Sequence, residues 1–78
     1  MKEKEIEYTV DGELQKTNTR TLTPAQILTN AGIDAGTHYL VLVKGKEKES
    51  YKDKADTPIH MHDGMKFVSV FVGSMTVS

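Results

Sequence analysis

The residues with the clearest potential for chemistry are the histidines and the acidic residue that follows the last of them. His60 and His62 are two positions apart, so they lie on one side of an extended segment, and Asp63 or His38 would have to supply a third metal ligand. No ligand signature accompanies this spacing, and a polar loop before the last strand accounts for the same residues. We therefore predict no metal ion and no other cofactor.

Nucleophilic catalysis is not indicated either. The serines, Ser50, Ser69 and Ser74 among them, are scattered, and the chain has no cysteine to supply a thiolate. It has no glycine-rich phosphate loop. A domain of this size also leaves little room for the pocket that small-molecule chemistry needs. We predict that the protein is not an enzyme.

The C-terminal end holds the sharpest candidate site. Gly73 has no side chain, so a protease and an adenylating enzyme can approach its backbone closely. Cleavage after it would release Ser74 to Ser78 and leave a carboxylate for transfer. Two other interpretations stay open: Gly73 simply ends a strand before an ordinary chain terminus, or the intact chain ending at Ser78 is the active form.

Composition is that of a folded domain, with 37% hydrophobic and 27% charged residues in a chain of 78. No apolar run approaches the roughly 20 residues of a membrane-spanning helix, and the charged N-terminus shows no secretory signal. The net charge is −1, and Lys44 to Lys54 is interleaved with Glu47, Glu49 and Asp53, which predicts a solvated surface. We expect a cytoplasmic protein that binds neither membrane nor nucleic acid.

Several segments have the pattern of strands. Glu5 to Val10 alternates apolar and polar residues, Asp11-Gly12 has the chemistry of a hairpin turn, and the threonine-rich Glu13 to Thr21 suits a returning edge strand. Three further strands are expected later in the chain: an interior strand at Tyr39 to Val43, a short edge strand at Glu47 to Tyr51 and a last strand at Met65 to Val72.

A short helix is predicted between these groups of strands. Thr23-Pro24-Ala25-Gln26 fits a capping box, and Leu22 and Ile27 are placed as a hydrophobic staple across it. Gly32 suits a left-handed position after the helix, and Ile33 can fold back onto the last turn.

The resulting order of elements, β-β-α-β-β-β, predicts an α+β fold of the β-grasp (ubiquitin-like) type, a mixed sheet of four to five strands with the helix on one face. A small barrel is the alternative, and the capped helix argues against it. The β-grasp domain is expected to span residues 1–73, with 74–78 as a C-terminal tail.

The last strand is apolar on both sides, although one helix covers only one face of a sheet. We expect Phe67 and Phe71 to point into the core. The opposite face is then expected to expose a partner surface that includes four valines: Val41, Val68, Val70 and Val72. This surface would serve another protein or a second copy of the chain, which makes a homo-oligomer a further possibility.

Several runs together resemble the bacterial multi-ubiquitin domain family over roughly residues 5–73. They are Val10 to Glu13, Arg20 to Leu28, Ala31 to Ile33 and His62 to Val70, and their order and spacing are more specific than any one of them. The resemblance implies a ubiquitin-like protein of a bacterial operon that also encodes an E1-like activating enzyme, an E2-like conjugating enzyme and a processing peptidase. Two features depart from the family: the chain has a single copy of the domain, and it has the single Gly73 in place of a terminal Gly-Gly.

Three functions are therefore weighed. The first is a protein modifier, trimmed near Gly73 by the peptidase and conjugated to targets by the E1-like and E2-like enzymes. The second is a ubiquitin-like module that is not conjugated and acts through its sheet face, by interaction or self-assembly. The third is a sulfur carrier, which the missing Gly-Gly terminus disfavours.

Overall fold

The computed structural model describes residues 5–72 of the chain. Within this range the elements, in chain order, are β1 (Ile6–Val10), β2 (Glu13–Thr17), β3 (Thr21–Leu22), α1 (Pro24–Asn30), β4 (His38–Lys44), β5 (Glu47–Ser50), β6 (Ile59–His60) and β7 (Met65–Phe71). No helix in this range is long and apolar enough to cross a membrane.

Five of the strands form one mixed sheet in the order β2-β1-β7-β4-β5, and β3 and β6 form a separate two-stranded pair. β1 and β7 are parallel, whereas the other neighbours in the large sheet are antiparallel. The helix packs on one face. The α+β, β-grasp-like architecture predicted from the sequence is thus confirmed, with β7 as the central strand.

The first hairpin sets the register of the sheet. Asp11 and Gly12 both have positive φ, of 55° and 85°, as a type I′ turn requires, and Val10 faces Glu13 directly across it. The expected edge strand from Glu13 to Thr21 is wrong in extent. β2 ends at Thr17, whose hydroxyl oxygen accepts the Thr19 N–H at 3.0 Å, and this local turn takes the chain out of the sheet before Thr21 pairs with His60.

The ends of α1 follow the predicted capping chemistry. The Thr23 hydroxyl oxygen accepts the Gln26 N–H at 3.2 Å, and the Gln26 side chain accepts the Thr23 N–H at 2.9 Å. At the other end Gly32 has a φ of +80°, and the Ile33 N–H donates to the Leu28 carbonyl at 2.9 Å, which is the Schellman arrangement. Both ends of this helix are therefore defined by contacts between near neighbours in the chain.

Replacing the N-cap tests how much of the helix depends on it. We expect Thr23→Ala to lower the free energy of unfolding by about 1 kcal/mol, because the Gln26 N–H loses the hydroxyl oxygen that accepts its hydrogen bond. Thr29→Ala, a substitution of an exposed threonine within α1, is the matched control and should change stability little. Urea denaturation followed by circular dichroism measures both, and equal losses in the two variants would contradict the role of the cap.

The core lies between α1 and one face of the sheet. Tyr8 and Phe67 meet edge to face, with ring centroids 5.9 Å apart and planes at 89°. Around them the buried cluster comprises Ile6, Val10, Leu22, Ile27, Leu28, Leu40, Leu42, Ile59 and Met61. Ile59 and Met61 belong to this cluster, so β6 and the residue after it lie against the core.

Phe71 is a correction to the expected core. Phe67 is 1% exposed, but Phe71, on the same face of β7, is 66% exposed. The reason is length: α1 has seven residues, or about 10 Å of helix, while the seven residues of β7 extend over about 23 Å. The helix therefore cannot cover the end of the strand where Phe71 lies.

Tyr8 gives the fold a predictable response to alkaline pH. Burial raises the pKa of its hydroxyl above the ordinary value of 10.0, and a hydrogen bond with the Asn30 side chain offsets part of this rise. The stabilisation from neutral Tyr8 is complete below pH 10 and is lost as pH rises through the higher pKa of the folded state. We expect Tyr8→Phe to be less stable than the original protein at neutral pH, by about 1 kcal/mol for the lost hydrogen bond.

The difference in stability between the original protein and Tyr8→Phe should shrink as the pH is raised past 10. Ionisation of Tyr8 then destabilises the original protein, whereas phenylalanine has no proton to lose. Denaturation midpoints at neutral and alkaline pH measure it. A difference that stays constant across this range would show that the Tyr8 hydroxyl does not titrate with unfolding.

Candidate functional site

Two surfaces are candidates for function, and the first is the point where the chain leaves the sheet. Phe71 ends the central strand, and the Val72 N–H donates to the Thr37 carbonyl at 2.8 Å. Phe71 is 66% exposed and Val72 is 52% exposed. The Phe71 ring also lies 5.2 Å from the His38 ring, centroid to centroid. We call Phe71, Val72 and His38 the exit patch.

The loop beside the exit patch is held by its own hydrogen bonds. An Asp34 carboxylate oxygen accepts the Gly36 N–H at 2.8 Å. His38 Nδ1 lies 3.0 Å from the Asp34 carbonyl oxygen and 2.9 Å from the Thr37 hydroxyl. The ring facing Phe71 is therefore fixed in position, and the exit patch has a defined shape.

A cavity of about 240 Å³ opens next to the exit patch. Its apolar lining comes from α1, β4 and the segment after β5, and includes Pro24, Leu28, Leu40, Tyr51, Ala55 and Val72. Burial, and then the nearby Glu49 carboxylate, raises the pKa of the Tyr51 hydroxyl, so this group is neutral at physiological pH. The lining also includes His38, Lys52 and Asp53, so the cavity has both apolar and polar walls.

The predicted processing positions Gly73, Ser74 and Ser78 lie outside the described residues, as does the expected domain boundary between 73 and 74. The prediction of cleavage after Gly73 stays a prediction. The structure describes the chain up to the residue before Gly73, and there Val72 is exposed at the end of the central strand.

The second candidate is the face of the sheet opposite α1, which we call the open face. Val41 faces Val68 across β4 and β7, and Tyr39 faces Val70. Val68, Val70 and Tyr39 are half-buried, whereas Val41, in the middle, is 8% exposed because its neighbours shelter it. Three of the predicted partner-surface valines thus lie together on one face. Val72, the fourth, follows the strand and lines the cavity at the exit patch, as Tyr39 also does.

Sequence reasoning missed other members of the open face. Leu14, opposite Thr9 on the edge strand β2, is 57% exposed, and Val43 lies between β5 and β7. The mixed charges of Glu47-Lys48-Glu49 predict only a solvated surface. In a strand, alternation sends Lys48 to one face and both glutamates to the other, and this signal is present in the sequence.

The residues considered for metal binding and catalysis have structural positions. Within residues 5–72 no group of three or more His, Cys, Asp or Glu side chains is placed to hold a metal ion. A carboxylate oxygen of Asp63 accepts the Glu7 N–H at 3.0 Å. The Ser69 hydroxyl donates to Asp11, and the Ser50 hydroxyl oxygen accepts the Lys52 N–H at 3.2 Å. These contacts hold turns and strand ends.

No family model matches this sequence, and no curated protein or solved structure matches it either. The strand order and pairing alone identify the arrangement as β-grasp-like.

Proposed function

We propose that the protein is a ubiquitin-like modifier whose C-terminal end is trimmed by a partner peptidase and then joined to target proteins. The observation that carries this proposal is the exposure of Phe71 and Val72 at the end of the central strand. Phe67, four residues before Phe71, is the last core residue of this strand. A partner enzyme can therefore reach the chain at Phe71 and Val72 without unfolding the core.

The chemistry of the exit patch supports enzyme recognition. Peptidases and activating enzymes that act on a chain end need extended backbone and side chains that identify the substrate. Phe71 and Val72 supply apolar side chains, and the adjoining cavity supplies a recess of about 240 Å³. Gly73 follows at once, so the next peptide bond has no side chain to obstruct an active site.

In this scheme the protein is a substrate and a tag. A peptidase cuts after Gly73, an E1-like enzyme activates the new carboxylate, and an E2-like enzyme transfers it to a target in the cytoplasm. The partners follow from the resemblance to bacterial ubiquitin-like proteins, and the fold is compatible with them. The catalysis belongs to the partners.

Conjugation can be tested with chains of defined length expressed together with the neighbouring genes of the source genome. A chain of residues 1–73 bypasses the peptidase and should form adducts that resist denaturing electrophoresis. A chain of residues 1–72 is the matched control: it lacks the glycine carboxylate and should form none. Equal adducts from both chains, or adducts from neither, would contradict the proposal.

A second candidate function is an interaction module that is never conjugated. The open face favours it, because Val68, Val70 and Tyr39 lie side by side without any described element covering them. In that case the exit patch plays no part, and adducts are absent while binding through the sheet persists.

A further inference from the structure

The open face has an apolar centre with positive charge at its margins. Val41, Val68, Val70 and Tyr39 form the centre through direct cross-strand neighbours. Val43 lies in the next row and has a lysine on each side: Lys48 on β5 and Lys66 on β7. Cβ atoms of neighbours across strands are only about 5 Å apart, so the two lysine side chains leave the sheet directly beside Val43.

Further lysines extend this margin. Lys52 places its ammonium group 5.9 Å from the centre of the Tyr39 ring, at the opposite end of the apolar centre from Lys48 and Lys66. Lys16 lies on β2 across from Glu7, the one acidic strand residue on this face. All these lysines are exposed. The basic margin consists of Lys48, Lys52 and Lys66, with Lys16 balanced by Glu7.

The other side of the same sheet has the reverse charge. The pairing of β1 with β2 and of β4 with β5 places three glutamates on that side: Glu13, Glu47 and Glu49. Lys44 is the only lysine among the strand residues there. Lys44 is itself paired with Glu49, at 3.5 Å. The strand residues of the large sheet therefore separate their charges between its two faces, although the net charge of the whole chain is only −1. Separation of this kind steers partners by charge.

The positive charge at the margin of the open face decides which kind of partner fits it. A second copy placed face to face would bring two sets of lysines together, which is unfavourable when their surroundings are dehydrated. A nucleic acid would match the charge, but base stacking uses successive aromatic side chains, and Tyr39 is the single aromatic residue among the valines of the centre. An acidic segment with apolar side chains satisfies both parts of the surface.

We propose that the open face binds a partner segment in which aliphatic side chains are flanked by glutamate or aspartate. The aliphatic groups cover Val68, Val70 and Tyr39, and the carboxylates approach Lys48, Lys52 and Lys66. This interaction goes beyond the modifier function and does not depend on processing at Gly73, so either can fail while the other holds.

The test uses the full chain, labelled for amide NMR, and a synthetic peptide with two leucines flanked on both sides by glutamates. We expect peptide-dependent shifts centred on the amides of Tyr39, Val68 and Val70, and weaker binding at higher salt. Two control peptides, one with lysine for glutamate and one with serine for leucine, should produce neither the shifts nor saturation.

Charge reversal on the protein sharpens the test. The double variant Lys48→Glu and Lys66→Glu should bind the acidic peptide about tenfold more weakly, because attraction becomes repulsion at short range. Lys44→Glu makes the same type of change on the other face of the sheet and should bind within about twofold of the original protein. The amide spectrum of each variant shows that it remains folded.

Four results would overturn the proposal: no shifts on the open face; equal binding by the serine control peptide; equal weakening in Lys44→Glu; or concentration-dependent shifts of the same amides without peptide. The last would assign the face to a second copy of the chain.

Discussion

Phe67→Ala should leave a large fraction of the protein unfolded at room temperature. Phe67 is 1% exposed and meets Tyr8 edge to face, so truncation removes the centre of the core and leaves a cavity. Such substitutions cost about 3–5 kcal/mol, and a domain of this size has a total stability of order 5 kcal/mol. Urea denaturation followed by circular dichroism measures the loss.

Phe71→Ala is the matched control, because it removes the same side chain from the same face of the same strand. Phe71 is 66% exposed, and we expect a loss within about 0.5 kcal/mol. If Phe67→Ala fails to fold at all, Phe67→Leu should fold with a cost of about 1.5 kcal/mol. Similar losses for Phe67→Ala and Phe71→Ala would show that the core is not where the structure places it.

Asp11→Ala should cause the second largest loss, about 2–3 kcal/mol, although Asp11 lies in an exposed turn. One carboxylate oxygen of Asp11 accepts the Ser69 N–H at 2.8 Å, and the other accepts the Ser69 hydroxyl at 2.6 Å. Because β1 ends at Val10, these bonds continue its pairing with the central strand. Hydrogen bonds to a charged group contribute about 1.5–3 kcal/mol, and alanine is also unfavourable at the positive φ of 55°.

Two controls separate the backbone contribution from the hydrogen bonds. Asp53 also has a positive φ, of 63°, but has no such side-chain bonds in the described part of the chain, so Asp53→Ala should show only the backbone cost of about 1 kcal/mol. Asp11→Asn tolerates the same φ and keeps one acceptor oxygen, and it should lie between the original protein and Asp11→Ala. Equal losses for Asp11→Ala and Asp53→Ala would contradict the link to β7.

Local signals predicted the helix and the first hairpin well. The capping box at Thr23 and the glycine after the helix act through neighbours in the chain, so the sequence contains all that determines them. Alternation in Glu5 to Val10 likewise identified the buried side of β1. These elements, with the apolar run at β4, were enough to predict the β-grasp arrangement.

Other features depend on how elements far apart in the sequence pack together, which local sequence patterns do not indicate. Phe71 has the residue type of a core position, and its exposure follows only from the short reach of α1. The hydrogen bonds between Asp11 and Ser69 join residues that are 58 positions apart. The alternation of residues in β5 already indicates that its lysine and glutamates lie on opposite faces. Only the register of β4 with β5 and with β7 shows which other residues share those faces.

The modifier proposal is tested most directly by the intact mass of the full 78-residue chain after expression with its neighbouring genes. We predict that the mass falls by that of Ser74 to Ser78, and that inactivating the peptidase restores the full mass. If the full mass persists beside an active peptidase and no adduct of higher mass appears, the protein is not a processed modifier, and the open face becomes its principal functional surface.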